Sequence, residues 1–401
     1  MAGKKILYIE WKSFGNDDVK DAISALGHEL IIMPYSSNDV YHDETLEKKI
    51  IDRINEAGAD AVFSSNYYPP VAMACHENNT PYISWVYDNP FVMLYSYTVI
   101  FETNHIFVFD KEQYTEFARN NIKTVNYMPL AAAPAKRMAS VNDKSYQGRL
   151  ESLGLTPKTR MAFVGSMYDE EHTFYRRIKN ISDHSRGYLE GLMAVQSKVY
   201  GYNFIKSMMN NALMDEMAKD LPMEPNNESV ATREFLFAEY AINREITARE
   251  RYEYLREIGE SFAVDGKPAL DLYTQNPGIK INGILNHGSI DHIDLAPIVY
   301  NKTGINLNIT LRSIHTGIPL RAFEILGSGG FLLSNYQPDF ADCYNDGEDY
   351  VSYYSKEDML EKIEYYLSHE KERQEIAENG FRRTQEEHTY EHRLEEMFRQ
   401  I

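Results

Sequence analysis

The first third of the chain alternates short apolar runs with longer polar stretches of helical period. Residues 5–9 (KILYI), 29–33 (ELIIM), 60–63 (DAVF), 82–86 (YISWV) and 106–109 (IFVF) are apolar and bounded by Gly, Pro, Asn or Asp. Runs of this length and boundary read as buried strands. Between them, residues 17–26 (DDVKDAISAL) and 45–57 (TLEKKIIDRINEA) repeat apolar positions at helical spacing, and each is followed by a glycine suited to a helix C-cap, Gly27 and Gly58. Strand–helix–strand alternation predicts a parallel sheet covered by helices on both faces.

A stretch rich in Ala, Pro, Ser and Gly at 131–154 reads as a loop and a candidate hinge, and a new strand is expected at 160–165 (RMAFVG). Residues 168–258 then lose the strand rhythm. They are charged, Met-rich and helical in period, broken at 220–227 (DLPMEPNN), and read as a helical insertion whose methionines fill core. The α/β rhythm returns with strands expected at 269–274, 280–284, 304–309, 330–334 and 350–353, and a helix at 318–326 entered at Pro319 and left at Gly327. The last fifty residues are helical and charged, with no internal repeat or low-complexity tract. The expected organisation is a Rossmann-like domain at 1–150, a second at 151–380 carrying the insertion, and a C-terminal helix at 381–401 packing back across the domains.

With 401 residues, one core would be outgrown, which supports the two-domain reading. The balance of 41 Lys and Arg against 60 Asp and Glu gives a net charge of -19, which argues against a broad face for nucleic acid or anionic lipid. A local basic pocket for a phosphate remains compatible with it. Two distant cysteines, Cys75 and Cys343, make neither a metal-ligand spacing nor a disulfide framework. They fit reduced packing residues of a cytoplasmic protein. The opening apolar run is too short for a signal-peptide core, and no run approaches the roughly 20 residues of a membrane span.

The most informative chemistry lies at 316–335 (TGIPLRAFEILGSGGFLLSN). Gly317 and Ile318 lead to Pro319, a residue suited to the first helical turn, where unpaired backbone N–H groups bind phosphate. Arg321 in that turn can fork onto phosphate oxygens. Glu324 sits on an otherwise apolar helix, where a carboxylate needs a partner; a ribose diol is one. The bland alternative is an Arg321–Glu324 pair at i, i+3.

This segment, with INLNIT at 305–310, DGEDYVSYYSKEDMLEKIEYYL further on and a closing HTYEHR helix, resembles the C-terminal domain of GT-B glycosyltransferases, in particular the group related to the CgeB spore-maturation protein. YIEWKSFGNDD at 8–18 and SWVYDNP at 84–90 resemble the accompanying N-terminal domain. The resemblance implies two Rossmann-like domains facing across a cleft. It implies that Glu324 holds the donor ribose, and that Arg321, the backbone at Gly317, Ile318 and Pro319, and the Gly165–Ser166 turn face the diphosphate. Asn282, His287 and Arg312 are further donor-side candidates. Retaining families carry a Glu eight positions before the ribose Glu; here that position is Thr316, preceded by His315. The pair is therefore the candidate for the altered catalytic edge, and stereochemistry is open.

On the acceptor side, Trp11, Lys12, Ser13 and Phe14 follow the first strand, without the G-x-G-x-x-G of a dinucleotide site. Asn66, Tyr67 and Asn89 follow later strands and Trp85 lies within one, the aromatics as candidate sugar-stacking faces. Asp88 is the candidate general base of an inverting reaction, or else a turn residue before Pro90. The His287–Asp294 run (HGSIDHID) tempts a metal reading, but it fits a loop beside the donor base better, and no metal is expected.

The expected activity is a hexosyltransferase-type GT-B enzyme of a bacterium. It would use a UDP-, GDP- or TDP-linked sugar without a further cofactor and act on a protein or glycan acceptor. A nucleotide-sugar epimerase or hydrolase, and a non-catalytic scaffold, are the alternatives. Sugar, base, acceptor and oligomeric state are not written in the sequence.

Overall fold

The computed structural model describes residues 3–13, 15–169 and 173–401. The chain divides into two compact units: one of residues Met1–Ala131, Glu224–Thr232 and Thr389–Ile401, the other of Ala132–Met223 and Arg233–His388.

The first unit is built on strands β1 (Lys5–Glu10), β2 (Glu29–Pro34), β3 (Ala61–Ser65), β4 (Tyr82–Val86), β5 (Asn104–Val108) and β6 (Val125–Tyr127). They form one sheet in the order β2-β1-β3-β4-β5-β6, with every recorded pairing parallel. β3 and β4 are buried along their whole length, as expected for a sheet covered on both faces. Helices Asn16–Ala25 and Glu44–Ala57 close near Gly27 (φ 82°) and Gly58 (φ 60°), the left-handed positions expected from sequence. The last helix, Tyr390–Phe398, rejoins this unit, where Phe398 packs on His28 and Tyr390 on Trp85. The three-residue strand β6 was not anticipated, being too short to show a periodicity.

The second unit holds β7 (Met161–Val164), β8 (Leu270–Tyr273), β9 (Ile284–Asn286), β10 (Ile305–Asn308), β11 (Leu332–Asn335) and β12 (Val351–Tyr353) in the order β12-β11-β10-β7-β8-β9, again with every recorded pairing parallel. The chain winds outward from β7 through β8 to β9, then returns and winds the other way from β10. The switch point therefore lies between the carboxyl ends of β7 and β10, the place where doubly wound sheets bind ligands.

Between β7 and β8 runs the expected helical insertion, which has a core of its own. Leu189, Met193, Met214, Met217, Phe237 and Ile246 are buried together, separately from the sheet core of Phe163, Leu255, Leu272, Leu307 and Tyr353. Met193, Met209, Met214 and Met217 are core, as their spacing implied, whereas Met208 is exposed. The insertion ends in a long helix whose start, Leu236–Ile242, is a π-helical turn leading into Asn243–Phe262.

Two local expectations fail for physical reasons. The stretch 131–154 is not a loop but two helices, Pro134–Asn142 and Lys144–Ser152, the first with Pro at its start and the second capped by the Asp143 carboxylate accepting from Ser145 N–H. The strand expected at 280–284 instead begins at Ile284, because Gly283 turns the chain at φ 73°.

Candidate functional site

At the switch point of the second unit, the turn after β7 and the loop after β10 are tied together by one buried arginine. Arg251, 3% exposed, donates from Nε to the Ile309 carbonyl at 3.1 Å and from Nη1 to the Ser166 carbonyl at 2.5 Å. Its guanidinium lies over the rings of Phe163 and Tyr168 at 5.2 and 4.9 Å. Tyr168 adopts φ 51°, a left-handed conformation costly for an aromatic residue, steadied by its N–H donating to Ser166 Oγ at 3.0 Å. Burial drives the Arg251 guanidinium down to about 10.

Arg321, on the helix Leu320–Gly327, reaches the same place. Its Nη1 lies 2.6 Å from where a Cβ on residue 165 would stand, so only glycine lets the guanidinium rest on that backbone. Among the described residues no carboxylate pairs with it. Its neighbours are the Phe163 ring at 5.9 Å, the hydroxyl of Tyr300 and the imidazole of His292. Burial first, and the Arg321 charge second, push His292 down to about 4, so it stays neutral near pH 7. A cation without a carboxylate, beside a neutral imidazole, the Gly165–Ser166 turn and a helix N-terminus, suits an anionic group.

Glu324, one turn further on, is taken by a residue the sequence did not single out. Arg137 Nε donates to Oε2 at 2.5 Å and Nη2 to Oε1 at 3.1 Å. This replaces the Arg321–Glu324 pair considered from sequence, and it leaves Arg321 available. Gly317 and its loop are held by Gln337 Nε2, which donates to the carbonyls of Gly317 and Ile314 at 3.1 Å each. Pro319 caps the helix with extended geometry, φ -68° and ψ 150°, and the buried Ile318 anchors the turn. Thr316 Oγ1 donates to Asp339 at 3.2 Å, and His315 Nε2 meets Glu239 of the π-helical turn at 3.1 Å.

Three donor-side expectations require correction. Arg312 is spent within the fold: Nε donates to Glu250 at 2.8 Å, Nη1 to the Val199 carbonyl at 2.7 Å, and Nη2 to Glu250 and to the Ser197 carbonyl. His287 bonds Asp271 through Nε2 at 2.6 Å and Gly154 through Nδ1 at 3.2 Å, stacked on Tyr273. Both ring nitrogens are engaged. Asn282 precedes β9, at the amino end of the sheet, where its carbonyl packs on Gly259.

In the first unit, Trp85 and Tyr67 are fully buried. Tyr67 bonds Thr98 at 2.7 Å, and Trp85 packs between Tyr87 and Tyr390. Neither offers a face for a sugar. Trp11 is 47% accessible and set edge-on to Tyr35, which stacks on Tyr68 at 4.3 Å. Lys12 is exposed and Ser13 half-buried beside it, while Phe14 lies outside the described residues. Asn66, at φ 67°, accepts from the N–H groups of Tyr87 and Asp88 and donates to the Asp88 carboxylate at 2.8 Å. Asp88 is thus exposed yet oriented. Asn89 donates to Asp110 at 3.2 Å.

Arg251 and Arg137 were missed because nothing local marks them. Arg251 is one of several arginines on a charged helix, and Arg137 sat in a stretch read as loop. Among the described residues no three His, Cys, Asp or Glu gather as a metal cage, and no helix is long and apolar enough to cross a membrane.

Residues 249–399 match a family model described as glycosyl transferase-like. No curated protein matches the chain. Among solved structures, a glycosyltransferase from Rickettsia africae ESF-5 is similar over 100% of this chain and 98% of its own, at 11% identity and a TM-score of 0.55. Anabaena HepE, solved with UDP and glucose, is similar over 99% of this chain and 100% of its own, at 9% identity and a TM-score of 0.54. A UDP-forming α,α-trehalose-phosphate synthase from Burkholderia vietnamiensis is similar over 100% and 96%, at 11% identity and a TM-score of 0.53. Identities this low establish the fold, the GT-B arrangement of two parallel six-stranded sheets with flanking helices.

Proposed function

We propose that this chain, carrying a glycosyl transferase-like domain, transfers a sugar from a nucleoside-diphosphate sugar to an acceptor hydroxyl. The observation that carries the reading is Arg321, a cation with no carboxylate partner among the described residues, lying on Gly165 at the β7/β10 switch point. In this reading Arg321, the Gly165–Ser166 turn and the first-turn amides of the Leu320–Gly327 helix take the diphosphate. Glu324, oriented by Arg137, takes the ribose. The backbone at Gly317 and Pro319 shapes the approach.

As the sugar C1–O bond breaks, its electron pair stays on the diphosphate. Fixed donors aimed at that charge stabilise it without reorganising. The reading assigns this work to Arg321 and the helix amides. Asp88, held by Asn66, is the acceptor-side base if the reaction inverts. UDP is the first nucleotide to test, since HepE was solved with it and the trehalose-phosphate synthase forms it. Kinship with the CgeB-related group rests on the order of the sequence motifs, and a protein or glycan acceptor on that kinship.

Thermal denaturation in the presence of UDP, GDP and TDP tests the reading. A ligand at 100 times its Kd stabilises the native state by about 2.7 kcal/mol. At least one nucleotide should raise Tm, and Glu324→Gln should weaken that response. A chain that responds to none of the three is not a nucleotide-sugar transferase. A labelled nucleotide sugar incubated without acceptor should remain unepimerised; epimer formation would replace transfer with isomerisation.

A further inference from the structure

The helix Asn243–Phe262 turns Arg251 inward to the sheet, and its opposite side walls a cavity of about 540 Å³. Small-molecule sites span roughly 300–1,000 Å³. Met167 and Ala248 are buried in the lining and give it an apolar floor. Arg249, Tyr252 and Arg256 stand at i, i+3 and i+7, which places them on one face of the helix. All three are exposed. The ring of Tyr252 makes no contact with another ring among the described residues. The result is an aromatic side chain with a guanidinium about one turn before it and another about one turn after it.

Arg176, from the turn Phe174–Arg177, and Lys280, from the segment before β9, complete the rim. The cavity is thus lined by four cations and two carboxylates, Asp169 and Glu253, in a chain whose net charge is -19. The arginines have local partners: Arg176 meets Glu245 at 3.2 Å, Arg249 meets Glu245 at 2.8 Å and Glu190 at 2.5 Å, and Arg256 meets Glu257 at 3.0 Å. Exposed pairs of this kind are weak and leave donors for a further anion. Lys280 makes neither an ion pair nor a hydrogen bond among the described residues. The carboxylates are oriented, Asp169 by Asn276 Nδ2 at 2.9 Å and Glu253 by Lys356 at 2.8 Å.

We propose that this cavity binds an acidic saccharide, one that carries carboxylate or phosphate groups. Tyr252 offers its face to a sugar ring. Arg249 and Arg256 on either side, with Lys280 and Arg176 across from them, take the anionic groups, for which the planar guanidinium fork is suited. Asp169 and Glu253 accept hydrogen bonds from sugar hydroxyls. A neutral sugar would leave the four cations unmatched, and a bare inorganic anion would leave the aromatic and apolar surface unused. A long polyanion such as nucleic acid is opposed by the acidity of the rest of the chain. The residues are distinct from those assigned to the nucleotide, so the site adds a second hold on a glycan and stands independently of the transferase reading.

Calorimetry at low salt with trigalacturonate, fructose 1,6-bisphosphate, maltotriose and inorganic phosphate tests this. At least one of the two acidic saccharides should bind. Maltotriose should not, and inorganic phosphate should bind at least about tenfold more weakly. Lys280→Gln and Arg256→Gln should each weaken the acidic saccharide about tenfold, the size of one charge-assisted hydrogen bond, and Tyr252→Ala should weaken it as well. All three side chains are exposed, so unfolding midpoints should match the parent and report an intact fold. Inorganic phosphate binding as tightly as the saccharides means an adventitious ion only and overturns the inference. Maltotriose binding as tightly, no binding of either acidic probe, or variants that bind like the parent overturn it too. A parent that binds UDP, GDP or TDP but neither acidic saccharide keeps the transferase reading and loses this one. A parent that binds an acidic saccharide but no nucleotide does the reverse.

Discussion

Arg137 and Glu324, 187 residues apart, form a two-pronged ion pair at 2.5 and 3.1 Å, with side chains 2% and 12% exposed. Such a pair is costly to break from one side, because the remaining charge stays buried. Arg137→Met should destabilise the protein by about 3–5 kcal/mol in urea unfolding. Replacing both partners with apolar residues, Arg137→Met with Glu324→Leu, should recover much of that stability while nucleotide binding stays lost. If the double variant binds nucleotide like the parent, Glu324 has no part in the site.

Gly165→Ala separates binding from stability. The added Cβ would meet Arg321 Nη1 at 2.6 Å and Cζ at 2.9 Å. The guanidinium is the far end of a flexible side chain and can swing away, so the unfolding midpoint should shift little. Affinity for a nucleoside diphosphate should fall at least about tenfold, or about 1.4 kcal/mol, by calorimetry. Unchanged affinity would remove Arg321 from the phosphate site.

His292 makes stability depend on acidity. Its folded-state pKa, about 4, lies below the ordinary 6.5 because of burial and then the charge of Arg321. The unfolded chain therefore binds the proton first as pH falls. Stability should be full above about 6.5 and decline towards 4, by about 1–3 kcal/mol for this group. His292→Gln should flatten that part of the urea-midpoint profile between pH 7 and 5. A bound diphosphate offsetting Arg321 should raise the His292 pKa, which imidazole NMR would register.

Asn66→Ala should act on the other unit. It removes three hydrogen bonds to Tyr87 and Asp88 and places Ala at φ 67°. A stability loss of about 1–3 kcal/mol is expected. Nucleotide affinity should stay within about twofold, while transfer turnover drops because Asp88 is no longer oriented. Unchanged turnover would exclude Asp88 as the acceptor-side base.

Much of the fold was legible in the sequence. The strand–helix rhythm of 5–109 maps onto β1 to β5 within a residue or two, because a strand buried on both faces must be a continuous apolar run. The helix that bears Arg321 and Glu324 was equally legible, bracketed by Pro319 and Gly327. The candidate site was read less well. The sequence offers Trp85 and Tyr67 as ligand-facing rings, yet an aromatic at the end of a strand has the same local pattern whether it faces a ligand or the core. Arg312 and His287 looked like donor contacts until Glu250 and Asp271 engaged them.

The sequence by itself determined the two parallel sheets, the insertion with its methionine core, and the glycine and proline positions that turn the chain after β7 and before the Arg321 helix. These depend on periodicity and backbone stereochemistry, which act over a few residues. Only the tertiary structure decided the charge partners. Which arginine takes Glu324, and what supplies an acidic group beside position 316, are settled by contacts spanning tens to nearly two hundred residues. Pairing energies are set by distance and burial in space, and a linear chain records neither.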